Sequence, residues 1–128
     1  MPSILIVDDD KNTRDGLERA LKLDYKIYLA ESAESALNVM HEKHVDIILS
    51  DLQMPGMNGL ELLKQLKKYN NDVIFILLTA YGDIETAVEA MKHGAYDFLT
   101  KPVNLDHLEM LFERAVKNIK IEKENTQL

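Results

Sequence analysis

Five times along the chain, a short apolar run gives way to a stretch whose apolar residues recur every three or four positions. This alternation constrains the fold more than any other feature. A short run bounded by turn residues reads as a buried strand, and the longer periodic stretch reads as an amphipathic helix. The strand candidates are Ser3 to Val7, Tyr25 to Ala30, Val45 to Ser50, Val73 to Leu78 and Tyr96 to Thr100. Tyr25 to Ala30 alternates in part, which suits a sheet edge. Val73 to Leu78 is the most apolar and the best candidate for full burial. Regular βα alternation calls for a parallel sheet, because right-handed crossovers place helices over both faces. The expected class is α/β, a doubly wound sheet with its strands in the order 2-1-3-4-5.

Capping residues mark where the helices start. Asp10 opens a helix through about Leu23, and Ser32 opens one carrying Ala36, Leu37, Val39 and Met40. Asn58 with Glu61 resembles a capping box before Leu60, Leu62, Leu63 and Leu66. Asp83 is expected to cap a helix that ends at Gly94, a natural C′ glycine. Asn104 opens the last helix. The domain is expected to span residues 1–117. The tail 118–128 contains no breaker, so it either prolongs the last helix, as the start of a linker, or frays.

Composition narrows the function classes. The 128 residues are 46% hydrophobic and 29% charged, enough for one domain with a real core. The absence of cysteine removes disulfides and thiolate metal sites and fits a reducing cytoplasm. No apolar run approaches the roughly 18 residues needed to span a membrane, and the N-terminus lacks a signal-peptide pattern. A net charge of −7 argues against this segment gripping nucleic acid. The four histidines, His41, His44, His93 and His107, fall on or beside helices and read as surface residues.

Ligands of an open parallel sheet bind beyond the carboxyl ends of its strands, at the point where strand order reverses. Asp8, Asp9 and Asp10 end the first strand, Asp51 follows the third, Thr79 the fourth and Lys101 the fifth. In the 2-1-3-4-5 order, Asp8, Asp9 and Asp51 converge, with Thr79 and Lys101 on the flank. Carboxylates crowded in one crevice call for a proton or a cation. An all-oxygen donor set favours a hard ion such as Mg2+, which commonly works with a phosphoryl group. Lys101 offers a compact positive charge to such a group, and Thr79 offers a hydroxyl. Asp51, alone at its strand end, is the candidate nucleophile, and its product would be an acyl phosphate.

These pieces resemble a known family. "LIVDDD", "ILSDLQMPGMNGLELL", "ILLTAYG" and "YDFLTKPV" are similar, in order and spacing, to the receiver domains of bacterial two-component response regulators. "TAVEAMKHGAYDFLTKP" further resembles the NtrC-type activators of transcription. The resemblance implies that Asp51 is the phosphoacceptor and that Asp8, Asp9, Asp51 and the Gln53 backbone carbonyl surround Mg2+. It implies switch roles for Thr79 and Phe98, a conserved-type role for Lys101 and a cis Lys101–Pro102 bond. It also implies a histidine kinase as phosphodonor, an output domain in the full-length protein, a possible homodimer and a cytoplasmic setting. Gln53 and Tyr81 stand two residues beyond Asp51 and Thr79, where this family shapes the access of hydrolytic water. Asp10 has no required role in the resemblance and is assigned to capping.

Each residue alone has a plainer reading. An acid triplet after a strand is often a turn and cap, Thr79 a strand former, and Lys101 a solvated lysine. Their joint placement at one sheet edge favours a site. Two rival functions remain. "ILIVDDDKN" loosely resembles the haloacid-dehalogenase phosphatases, with Asp8 as nucleophile and Asp10 as acid. That reading leaves Asp51 without a task and lacks the family's later acid. A receiver-like interaction module that never takes phosphate is the other. Flavin binding, known for this architecture, would need a phosphate-binding loop where the acids stand.

Overall fold

Side-chain alternation along the central strands decides the architecture. In the computed structural model, Ile4, Ile6, Ile47, Leu49, Ile76 and Leu78 project to one face of a sheet, and Leu5, Val7, Ile48, Phe75 and Leu77 project to the other. Both faces must therefore be covered, and helices cover them. The structure describes residues 1–69, 72–80 and 82–127, with side chains as far as residue 119. Its elements are β1 (Ser3–Val7), α1 (Lys11–Leu21), β2 (Lys26–Ala30), α2 (Ala33–Glu42), β3 (Ile47–Asp51), α3 (Gly59–Tyr69), β4 (Ile74–Thr79), α4 (Ile84–Lys92), β5 (Asp97–Thr100) and α5 (Leu105–Gln127).

The strands pair in parallel in the expected order, β2-β1-β3-β4-β5. The partly alternating second strand lies at an edge, as its pattern indicates. Full burial falls to β1 and β3, while β4 leaves Ile74 half-buried at its start. One core layer joins the sheet to α1 and α5 through Leu17, Leu21, Leu108, Leu111 and Phe112. The other joins it to α2, α3 and α4 through Ala33, Ala36, Leu62, Leu63, Ala87 and Ala90. Each large side chain so buried contributes about 1.5–3 kcal/mol through the hydrophobic effect. Tyr25 and Phe112 meet edge to face, their ring centres 5.4 Å apart.

The caps follow the sequence at four helices. Asp10 accepts from the Asn12 N–H, Ser32 from the Ser35 N–H, and Asn104 from the His107 N–H. Asn58 and Glu61 exchange both bonds of the capping box, at 3.1 and 2.9 Å. Gly94 takes the expected left-handed conformation after α4, with φ 103°. The exception is Asp83. It stands at the N-cap of α4 but makes no side-chain cap bond. Its backbone, at φ −110° and ψ 27°, departs from the extended conformation of the Asp10 and Ser32 caps, and its carboxylate accepts from Gln53 Nε2 at 3.3 Å.

The first helix stops at Leu21, short of Leu23, which is 81% exposed. The tail continues α5 as far as Gln127, and the Asn118 side chain still donates to the Tyr96 hydroxyl at 3.2 Å. Tyr81 lies outside the described residues. Among those described, no helix is long and apolar enough to cross a membrane.

Candidate functional site

Strand register brings the acids together. Val7 pairs with Ser50, so the residues that follow each, Asp8 and Asp51, leave adjacent strands side by side. Asp8, Asp9 and Asp51 each offer a carboxylate oxygen, and these oxygens lie within 4.8 Å of one another. Asp8 and Asp51 are buried, whereas Asp9 is exposed. Lys101, just past β5, reaches over the sheet edge with Nζ 2.9 Å from Asp51 Oδ2 and 3.6 Å from Asp8 Oδ2. The Lys101–Pro102 peptide is cis, as expected, and the Lys101 N–H donates to the Thr79 carbonyl at 2.8 Å.

The two buried carboxylates are held differently. Asp8 Oδ1 accepts from the Asp10 N–H at 2.9 Å, while Asp8 Oδ2 is buried and accepts no hydrogen bond. Burial pushes the Asp8 carboxyl above the usual carboxylate range. The Asp10 N–H opposes that push, and the Asp51 charge adds to it. Burial draws the Lys101 ammonium downward, but its bond to Asp51 and the charges of Asp51 and Asp8 outweigh this and raise it. Asp51 Oδ1 accepts a long bond from the Gln53 N–H, at 3.4 Å.

Backbone geometry after β3 keeps this arrangement tight. A Cβ on Gly59 would stand 2.5 Å from the Asp51 carbonyl oxygen and 3.0 Å from the Leu52 Cα. Only glycine lets the start of α3 approach the phosphoacceptor candidate's own backbone so closely. Gly56 makes the turn before it, with φ 77°. Met54 is buried and Met57 packs against the same core, as expected for the loop.

The structure therefore brings Asp8, Asp9, Asp51 and Lys101 into one crevice. Thr79 lies at the end of the neighbouring strand, fully buried, with its hydroxyl donated to the Ala80 carbonyl at 3.2 Å. Phe98 is half-buried opposite Leu77 and packs on the α2–α3–α4 core layer. Asp10 serves α1, accepting from Asn12 and from the Thr13 hydroxyl, as the capping assignment requires. The four histidines are exposed. Sequence reasoning missed Arg14, whose guanidinium donates to the Asp8 carbonyl at 2.7 Å and fixes the turn that carries the acids.

The donor set fits a divalent cation. Three carboxylates converge, all donors are oxygens, and one buried carboxylate oxygen lacks a hydrogen-bond partner among the described residues. A hard ion satisfies such a set. Asp8, Asp9 and Asp51 are the side chains placed to hold it.

Known proteins share this organisation. Residues 4–113 match the model of the response regulator receiver domain. The chain is 38% identical over 122 residues to the regulatory protein AtoC of Escherichia coli, covering 94% of this chain and 26% of that protein. It is 41% identical over 114 residues to the DNA-binding transcriptional regulator NtrC of Klebsiella pneumoniae, covering 88% and 24%. It thus spans about a quarter of the length of the curated relatives it matches. Among solved structures, the receiver domain of NtrX from Brucella abortus superposes with a TM-score of 0.84 at 34% identity, covering 89% of this chain and 98% of that one. A receiver domain from Clostridium thermocellum gives 0.91 at 28% identity, covering 94% and 98%. With its fold, its acid crevice and these relatives, the chain belongs to the response regulator receiver domain family, and its relatives are NtrC-type activators.

Proposed function

We propose that the chain is a phosphorylation switch in which Asp51 takes a phosphoryl group from a histidine kinase. The observation that carries this reading is the Lys101 ammonium, 2.9 Å from Asp51 Oδ2 and 3.6 Å from the buried Asp8 Oδ2. A carboxylate presented with a fixed cation and a metal-ready acid pair is arranged to act on a phosphoryl group. An Asp51 oxygen attacks phosphorus, the donor's N–P bond breaks, and the donor imidazole leaves with a proton from water. Asp8, Asp9, Asp51 and the Gln53 carbonyl would hold Mg2+, which when bound offsets charge on the transferring oxygens. Lys101 neutralises charge on the same group.

Phosphorylation adds charge and acceptor oxygens where Asp51 stood. Thr79 then turns its hydroxyl from Ala80 towards those oxygens, and Phe98 moves into the space that this leaves. The surface formed by α4, β5 and α5 changes with them. In a longer protein, residues 1–117 are the regulatory domain, and α5 beyond Lys117 leads to an output domain that controls transcription in the cytoplasm. That helix also offers a route to a homodimer. Slow loss of the phosphoryl group to water resets the switch.

The phosphatase reading requires Asp10 as an acid in the crevice, whereas its carboxylate is engaged in capping α1. The chain treated with acetyl phosphate and Mg2+ and then mapped by tandem mass spectrometry should carry its phosphoryl group on Asp51. A label on Asp8 would overturn the proposal in favour of the phosphatase.

A further inference from the structure

Three hydrogen bonds join Asp8, Asp10 and Arg14 in a closed ring. Asp8 Oδ1 accepts from the Asp10 N–H at 2.9 Å, the Asp10 carbonyl accepts from the Arg14 N–H at 3.1 Å, and Arg14 Nη1 donates to the Asp8 carbonyl at 2.7 Å. The first two are local, a turn closed by an aspartate side chain and the first bond of α1. The third is not, because the Arg14 side chain must reach back past its own helix start to make it. It is the shortest of the three, and the guanidinium charge strengthens it.

The ring encloses Asp9. That side chain is exposed, so packing does not fix its direction, yet one of its oxygens lies within 4.8 Å of those of Asp8 and Asp51. The backbone on either side must aim it. The Asp8 carbonyl belongs to the planar peptide group that enters Asp9, so Arg14 holds the plane from which the Asp9 side chain departs. The Asp8 N–H is tied as well, donating to the Ala30 carbonyl of β2 at 3.1 Å. These bonds leave Oδ2 as the one polar atom of Asp8 without a hydrogen bond among the described residues.

We infer that Arg14 is a positioning residue for the divalent cation. By holding the peptide between Asp8 and Asp9, it aims both carboxylates at one point and raises the affinity of the crevice for Mg2+. The inference rests on the reading that the crevice holds Mg2+. Charge and positioning act here with opposite signs. As a plain cation near an acid site, Arg14 would repel Mg2+, and its removal would tighten binding. As the residue that holds the turn, its removal loosens binding, on the scale of about tenfold for an outer partner of a metal ligand.

The sign of the effect on Mg2+ affinity tests this. Mg2+ is titrated into the unphosphorylated chain at constant ionic strength, and the dissociation constant is read from the NMR amide shifts of residues 8–10 and 51. Arg14→Ala should bind Mg2+ about tenfold more weakly than the wild type. Arg14→Met keeps a long stem and loses every donor, so it should show the same loss, and it serves in place of Arg14→Ala should the smaller side chain unfold the domain. Thr13→Ala removes a neighbouring bond outside the ring, from the Thr13 hydroxyl to Asp10 Oδ2, and should bind Mg2+ as the wild type does whatever its Tm. Equal or tighter binding in the folded Arg14 variants would overturn the inference. So would a tenfold loss in Thr13→Ala, which would assign the effect to a slackened helix start. A wild-type chain that binds no Mg2+ would instead overturn the reading on which the inference rests.

Discussion

Lys101 Nζ stands 2.9 Å from Asp51 Oδ2 and 3.6 Å from Asp8 Oδ2, so one ammonium bridges the two buried carboxylates of the crevice. Lys101 follows β5, two strands away from β3 in the sheet, so its side chain reaches across the end of β4, where its N–H donates to the Thr79 carbonyl. In the proposed mechanism the same cation would face a phosphoryl group on Asp51. Lys101→Ala should therefore slow phosphorylation by acetyl phosphate about a hundredfold, the scale for losing one preorganised charge partner. The measurement is the initial rate of mass gain at fixed donor and Mg2+. Equal rates in the two proteins would remove Lys101 from the chemistry.

Asp8 should behave as a destabilising residue when no metal is bound. Its carboxyl is raised by burial and by the Asp51 charge, against the pull of the Asp10 N–H. An acid raised on folding binds protons more tightly in the folded state, so its contribution to stability falls as pH rises through the interval above about 4. Asp8→Asn keeps the acceptor for Asp10 and removes the charge. It should raise the metal-free Tm at neutral pH by about 3 °C. Mg2+ should raise the Tm of the wild type, and this variant should lose that shift. A lower Tm in the metal-free variant would contradict the electrostatic reading of the crevice.

Gly59 tests how closely the fold packs behind the site. A methyl group there would meet the Asp51 carbonyl oxygen at 2.5 Å and Leu77 Cδ1 at 3.0 Å. The oxygen belongs to backbone and has little room to yield. Gly59→Ala should lose about 2 kcal/mol on chemical denaturation, within the range for overpacking a tight core. Its phosphorylation rate should fall with it. A variant of wild-type stability would show that α3 can shift without disturbing β3.

The fold was legible because its strands differ sharply from its helices in apolar period. Ile4 to Val7 and Ile47 to Leu49 are apolar at every position, as a strand covered on both faces requires. The acids and Lys101 were legible because each stands at or just past the carboxyl end of a strand, so the topology alone brings them to one edge. Side-chain direction was not legible. Asp83 stands where a cap is expected, but its backbone departs from the extended cap conformation, which no residue pattern encodes. Arg14 looks like one more charged residue of α1 until its reach back to the Asp8 carbonyl is seen. Thr79 stands at the expected strand end, but its rotamer, turned to Ala80, depends on packing that no periodicity encodes.

The opposite end of the sheet carries a staple that makes a separate pH prediction. Asp46 Oδ2 accepts from the Ser3 N–H at 3.0 Å and the Ser3 hydroxyl at 3.3 Å, and Oδ1 meets His44 Nε2 at 2.9 Å. Burial pushes the Asp46 carboxyl up, but the Ser3 bonds and the His44 ring outweigh it and hold it below the usual range. A lowered acid stabilises the fold above about pH 4 and loses that contribution as pH falls through its folded value. Asp46→Ala should therefore lose about 1–3 kcal/mol at neutral pH, as the buried Ser3 donor goes unpaired. The gap from wild type should close in acid. A gap that stays constant down to pH 2 would assign the loss to packing instead.

Intact-mass measurement of the chain with acetyl phosphate and Mg2+, beside Asp51→Ala under the same conditions, tests the phosphoacceptor assignment most directly. The wild type should gain the mass of one phosphoryl group and the variant none. An equal gain in Asp51→Ala would place the chemistry on another residue.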